Sequence, residues 1–406
     1  LSSTFSDLGV PAEIITLLAQ RGITAPFPVQ HETIPAALAG RDVAGRAPTG
    51  SGKTLAFGLP LISLVGRARP ARPRALILAP TRELASQIER DLKPLLWARK
   101  RSIAAFYGGT SFTPQLKMLR RGVDVAVACP GRLADLVRRG NLILDEVQFV
   151  VIDEADRMAD MGFLPEVRAL LDQVRPDRQT MLFSATLDGD VDVLIRHYQR
   201  DPHRVDVVGD TVEEDRRTHL FLDAARENRT KVTAGLVAEH GSTVVFCRTK
   251  HGADRLARQL GMAGVDAVAI HGDRSQSQRE RALAQFRAGK ASVLVATDVA
   301  ARGIHVDDVA CVVHFDMPGD VKDYVHRSGR TGRAGADGTV VTLVTETDRA
   351  AAGRLQRALG LEVSYAGSRG SYSGSRGPAQ PRSFGGARGG ARGGSFGHNR
   401  GRRRAS

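Results

Sequence analysis

Cysteine is scarce in this 406-residue chain: Cys129, Cys247 and Cys311 stand far apart. No spacing among them matches a zinc site, and buried free thiols in a reducing compartment are expected. Long apolar runs are missing as well. No stretch of about eighteen apolar residues exists, so no membrane-spanning helix and no membrane partner are expected. The first residues, Leu1-Ser2-Ser3-Thr4, lack a basic segment followed by an apolar one, and no secretory leader is expected there. Lysine is rare: eight of the 58 basic residues, so fifty are arginine. Arginine carries a planar fork that matches phosphate and stacks on bases. With a net charge of +14 and a pI near 10.4, this balance points to a polyanionic partner.

The stretch around which the chain is organised is Val147 to Asp156, an apolar run ending in three carboxylates within four residues. A buried parallel strand has this form, and ligands of open α/β sheets bind at the carboxyl ends of the strands. Asp153 and Glu154 would stand where a metal ion and a water molecule can be held. A solvated acidic turn would look the same in isolation. The difference is made by a phosphate loop about a hundred residues upstream, Ala47-Pro48-Thr49-Gly50-Ser51-Gly52-Lys53-Thr54. Backbone N–H groups of such a loop and the following helix N-terminus cradle phosphates. Lys53 would reach the β- and γ-phosphates, and the Thr54 hydroxyl would ligate Mg²⁺. Ala47 occupies the position where the pattern opens with glycine.

Strand-like runs at 42–46, 74–79, 102–106, 123–128, 147–152 and 179–183 alternate with helical patterns such as Arg82 to Trp97 and Leu164 to Gln173. This βαβ series predicts a parallel sheet covered on both faces. A second series follows at 217–223, 243–247, 265–270, 291–296, 309–314 and 338–344, without its own phosphate loop. The expected division is a first domain over 1–207, a linker over 208–216, a second domain over 217–363 and a tail over 364–406, with ATP between the two sheets. The tail carries nine arginines and no acid, interleaved with Tyr365, Tyr372, Phe384 and Phe396. It cannot bury enough apolar surface to fold and is expected to be disordered. Without those arginines the remaining charge is about +5. Arg-Gly-Gly at 388–390 and 392–394 suits sequence-tolerant stacking on single-stranded RNA.

Taken together, these motifs resemble the DEAD-box family of ATP-dependent RNA helicases in helicase superfamily 2, from Phe5 to about Val344. The resemblance implies two tandem RecA-like α/β domains, ATP and Mg²⁺ as cofactors, and RNA-stimulated ATP hydrolysis. Gly22 to Gln30 resembles the family's Q motif, in which Gln30 would read adenine, and Phe5 matches an upstream aromatic that would stack on it. Thr49, Gly50, Ser51 and Gly52 would line the phosphates with Lys53 and Thr54, and Asp153 would join Thr54 at the metal. Thr81, Arg82, Gly108, Gly109, Gly131 and Arg132 look like the RNA-facing elements of the first lobe, although Cys129 replaces the usual Thr. Ser184 and Thr186, bridged to Asp156, would couple nucleotide closure to RNA binding. In the second lobe Arg248, Thr249, Gln276, Arg279 and Thr297 would face RNA, and Asp298 and Gly303 would meet the nucleotide. His305 stands where family members carry the Asp associated with ribose; Asp307 is its neighbour. His326 would join the γ-phosphate network, and Arg330 and Arg333 would be arginine fingers.

The mechanism implied is closure of two lobes by ATP and RNA, with the grip on phosphate and 2′-hydroxyl groups. It predicts local, non-processive unwinding or remodelling of RNA duplexes and RNA–protein complexes. The alternatives are a DNA-strand helicase on the same scaffold, and an RNA chaperone or clamp in which hydrolysis only times release. Ribosome-assembly or RNA-decay proteins are the expected partners, and composition suits a bacterial, cytoplasmic protein.

Overall fold

The computed structural model describes residues 4–47, 50–207, 217–301, 306, 309–332 and 337–367. The expected linker at 208–216 lies outside them, as do Thr49, Gly303, His305, Asp307, Arg333 and the tail beyond Gly367.

Two seven-stranded sheets form the chain's architecture. The first contains β1 (Val43–Arg46), β2 (Ala75–Leu78), β3 (Ile103–Phe106), β4 (Val125–Ala128), β5 (Phe149–Asp153), β6 (Gln179–Ser184) and β7 (His203–Asp206). Its order is β3-β4-β2-β5-β6-β1-β7, and its pairings are parallel throughout. The second contains β8 (Arg217–Asp223), β9 (Thr243–Phe246), β10 (Ala267–Ile270), β11 (Val293–Ala296), β12 (Cys311–His314), β13 (Gly338–Val344) and β14 (Ala366–Gly367). Its order is β10-β11-β9-β12-β13-β8-β14, also parallel.

The central strands are apolar on both faces because each sheet is covered on both sides. Ala75 and Ile77 of β2 enter one core, and Leu76 and Leu78 enter the other. In β12, Cys311 and Val313 pack on one face and Val312 on the opposite one. All three cysteines are free and buried. Among the described residues, no helix is long and apolar enough to cross a membrane.

Two strands escaped the sequence pattern. β7 is an edge strand with one buried residue, Val205, so it carries no alternation to detect. β14 lies inside the segment expected to be unfolded from 364 onward, which corrects that boundary. Tyr365 packs against the second sheet's core and donates its hydroxyl to the Arg349 carbonyl at 3.0 Å. A partly buried aromatic with a satisfied hydroxyl ties the adjoining strand to the core.

Candidate active site

Parallel topology puts the motifs that follow strands at the carboxyl edge of their sheet, and strand order then sorts them. In the first sheet β5, β6 and β1 are consecutive neighbours. Asp153 ends β5 with Glu154 just past it, Ser184 ends β6 with Ala185 and Thr186 after it, and the phosphate loop follows β1. The turns after β3, β4 and β2 carry Gly108 and Gly109, Gly131 and Arg132, and Thr81 and Arg82, so they fall on the other half of the edge. The second sheet repeats the separation: Arg248 and Thr249, Gln276 and Arg279, and Thr297 follow β9, β10 and β11, which lie side by side in the order β10-β11-β9.

At the phosphate loop, Gly50 and Gly52 both have φ of +88°, a left-handed conformation natural to glycine. A Cβ on Gly52 would come within 2.5 Å of the Gln30 amide and 2.8 Å of the Phe27 ring. Gln30 is therefore a wall of the loop. Its Oε1 accepts from Phe27 N, its Nε2 donates to the Gly52 carbonyl at 3.0 Å, and it is 1% exposed. The helix Lys53–Leu64 starts immediately after the turn, with Lys53 donating Nζ to the Ala47 carbonyl at 2.9 Å. Gly50, Gly52, Lys53, Thr54, Asp153 and Glu154 line one cavity of about 280 Å³, which Arg21 and Asp91 also border. Ser51, between the two glycines, is half-buried.

Phe5 is not at this cavity. It is 2% exposed and packed with Leu8, Ile14 and Leu18 in the first core, which corrects the expectation that it stacks on a base. Its aromatic signal was that of a core residue.

Glu154 has φ +56° and ψ +53°, so the chain turns through a left-handed residue at the cavity wall. A non-glycine residue held there is a strained position of the kind that clusters at functional sites. The turn is pinned from β6: Ser184 Oγ accepts from Asp156 N at 3.1 Å, and Asp156 accepts from Ala185 N at 3.2 Å. Ser184 and Asp156 are thus brought together, with Thr186 half-buried in the same turn. Glu154 also accepts from Arg157, and this pair is buried, with both side chains 7% exposed. Sequence reasoning missed Arg157, because an arginine on a short helix carries no signal until its neighbours are known.

Across from this turn the second lobe brings His326 and Arg330, which share a crevice with Arg157, Asp298, Asp323 and Arg327. Burial, then Arg157, holds the His326 imidazole below its usual range, so it is neutral at pH 7. Arg330 lines this crevice and is 5% exposed. Asp298 does not face the phosphate cavity: its carboxylate accepts two bonds from Arg327, at 2.6 and 2.7 Å. That places Asp298 in a bidentate lock between two motifs of one lobe, in the crevice that His326 and Arg330 also line.

The residues expected at RNA divide into two groups. Arg82, Gly108, Gly109, Gly131, Arg248 and Thr249 are exposed or half-buried at the edge. A Cβ on Gly109 would lie 2.1 Å from the Arg82 guanidinium, so the missing side chain at Gly109 lets Arg82 pack against the loop. Thr81 and Thr249 cap helices, accepting from Leu84 N and Gly252 N. Arg132, by contrast, is 8% exposed, donates to Gln115 and the Thr110 carbonyl, and stacks 4.0 Å from the Phe112 ring centre. Its described bonds brace the loop that carries Gly108 and Gly109. Thr297 is buried too, and burial pushes the thiol of Cys129 up to about 12, leaving it inert. Gln276 and Arg279 are buried against the first lobe, with Arg279 2.9 Å from Glu83. They form a joint between lobes, and a second bridge joins Lys322 to Asp160 at 2.8 Å.

This geometry matches known proteins. Residues 27–194 match the DEAD/DEAH box helicase model and residues 227–335 the helicase conserved C-terminal domain. The chain is 41% identical over 401 residues to DEAD-box ATP-dependent RNA helicase 30 of Arabidopsis thaliana, covering 95% of this chain and 68% of that protein. It is 42% identical to the mitochondrial DEAD-box ATP-dependent RNA helicase 9 of the same plant, covering 94% of this chain and 65% of that one. The chain thus spans about two thirds of each relative's length, and these plant sequences lend the bacterial expectation no support. Saccharomyces cerevisiae Dbp5 bound to RNA and ADP BeF3 superposes with a TM-score of 0.79 at 28% identity, over 91% of this chain and 96% of that one. Motif order, two parallel sheets and the joined lobes agree with these matches: the chain belongs to the DEAD-box family of ATP-dependent RNA helicases.

Proposed function

We propose that this chain hydrolyses ATP in response to RNA and uses lobe closure to separate or remodel short RNA duplexes. The observation that carries this is the meeting of His326 and Arg330 with Arg157 at the acidic turn, beside a phosphate loop on the same lobe. The likeness to an RNA- and ADP BeF3-bound relative over both lobes supports it.

In this reading Lys53 leaves the Ala47 carbonyl for the β- and γ-phosphates. Glu154 orients the attacking water, and Arg330, with Arg333, meets the charge that develops on the transferring phosphoryl group. Thr54 and Asp153 border one cavity, and a hydroxyl plus one carboxylate is the sparse oxygen set with which proteins hold Mg²⁺ on a nucleotide. Among the described residues there is no group of three or more side chains that could cage a metal alone. Thr54 and Asp153 would hold the ion, where it neutralises phosphate charge. RNA would lie along the β2–β4 and β9–β11 edges and be read through its backbone, which gives tolerance of sequence. The arginine-rich tail would add a salt-sensitive anchor. Such a grip suits RNA–protein assemblies, and we propose maturing ribosomes or RNA-decay complexes in a reducing, cytoplasm-like compartment as its setting.

The test is steady-state ATPase activity with single-stranded RNA, DNA of the same sequence, and duplexes of increasing length. We expect RNA to stimulate turnover at least tenfold, DNA not to, and unwinding to fall steeply with duplex length. Equal stimulation by DNA would instead favour a DNA-strand enzyme. Annealing without stimulated turnover, retained in Lys53→Ala, would favour a chaperone.

A further inference from the structure

Arg157 stands between two spaces that the proposed chemistry must join. Glu154 borders the phosphate cavity, whereas Arg157 borders the crevice holding His326 and Arg330. Their ion pair links the linings of the two. Both side chains are 7% exposed, and Arg157 also donates its backbone N–H to Asp156 at 2.9 Å. A guanidinium does not deprotonate in a protein, so burying it requires a partner, and the structure gives it Glu154.

The two residues are three apart, Glu154 capping the helix Ala155–Asp160 and Arg157 inside its first turn. The left-handed backbone at Glu154 turns its carboxylate back over the helix toward Arg157. Backbone strain and ion pair therefore act together: one aims the carboxylate and the other fixes where its oxygens rest.

We propose that Arg157 is a positioning residue for Glu154, setting the carboxylate's orientation toward the attacking water and sealing that arrangement beneath the second lobe's His326 and Arg330. This rests on the proposal that Glu154 orients water for ATP hydrolysis. Arg157 touches neither phosphate nor RNA in that scheme, so its loss should act on turnover and leave ATP binding alone. An exposed ion pair of this type would contribute little, because solvent screens it. Covered by the second lobe, the pair becomes specific in direction.

The experiment uses the full chain with saturating single-stranded RNA and compares wild type, Arg157→Met, Arg157→Lys, Glu154→Gln and the double variant Arg157→Met/Glu154→Gln. Arg157→Met keeps the side chain's bulk and removes its charge; thermal unfolding checks that each variant folds. We expect Arg157→Met to lower RNA-saturated kcat at least tenfold with KM for ATP within twofold, and Arg157→Lys to restore part of the loss. The double variant should be no slower than Glu154→Gln alone, since Arg157 acts through that carboxylate. Independent, multiplying losses would overturn the proposal, as would a rise in KM with kcat unchanged or an Arg157→Met enzyme with normal turnover. If Arg157→Met does not fold, the Lys variant and its double with Glu154→Gln decide the same question. A wild type that RNA fails to stimulate would defeat the functional proposal itself, an outcome separate from these.

Discussion

Replacing Arg279 by glutamine should loosen the lobes without weakening either one. Arg279 leaves the helix Gln276–Arg287 of the second lobe and meets Glu83 of the helix Arg82–Ala98, 2.9 Å away, with side chains 9% and 7% exposed. Burial pushes the Glu83 carboxyl up despite the pull of Arg279, and burial pushes Arg279 down. Removing one member of a buried pair costs about 3–5 kcal/mol when the survivor stays buried. Here parting the lobes rehydrates Glu83, so the cost falls on closure. At about 3 kcal/mol the closed-to-open ratio would drop roughly 150-fold. The assay is anisotropy of a labelled single-stranded RNA with and without ADP BeF3. Affinity with the nucleotide analogue should weaken by about 10- to 100-fold, while nucleotide-free affinity stays within about threefold. Equal weakening in both conditions would refute the joint and return Arg279 to direct RNA contact.

Three other changes probe the site and its support. Gly52→Ala forces a side chain into a left-handed position and against Gln30 and Phe27, so KM for ATP should rise more than about tenfold, read by a fluorescent nucleotide. Ser184→Ala leaves the buried Asp156 N–H without its acceptor and should lower stability by about 1–3 kcal/mol in urea unfolding. His314 is fully buried and held neutral by burial, then by Arg327 and His219. The unfolded chain gains a proton there as pH falls below 6.5 and the folded chain does not, so stability is lost on the acid side. Between pH 7.5 and 5.5 wild type should lose about 1.4 kcal/mol more than His314→Leu, by urea unfolding at both values.

What sequence made legible was whatever depends on local spacing. Strand β8 and strand β13 fall where alternation and branched residues put them, and the phosphate loop and Asp153 meet because strand order makes β1 and β5 near neighbours. What it hid depends on tertiary partners. Arg132 and Arg279 look like phosphate ligands in sequence, since both are arginines beside glycines or polar caps. Only their neighbours, Phe112 and Gln115 for one and Glu83 for the other, reveal buried braces. Phe5 misled in the same way, its ring serving the core. Arg157 went unseen because its importance lies in one contact to Glu154 across a left-handed turn.

RNA-saturated turnover by Arg330→Ala bears most directly on the proposal that the second lobe completes the first lobe's nucleotide site. Delivered across the closed cleft, an arginine finger is worth roughly 10³–10⁵ in rate, so kcat should fall by about 10³ or more with KM for ATP changed only a few-fold. A kcat within about tenfold of wild type would mean that Arg330 stays in its crevice during hydrolysis and that the lobes do not share one active site.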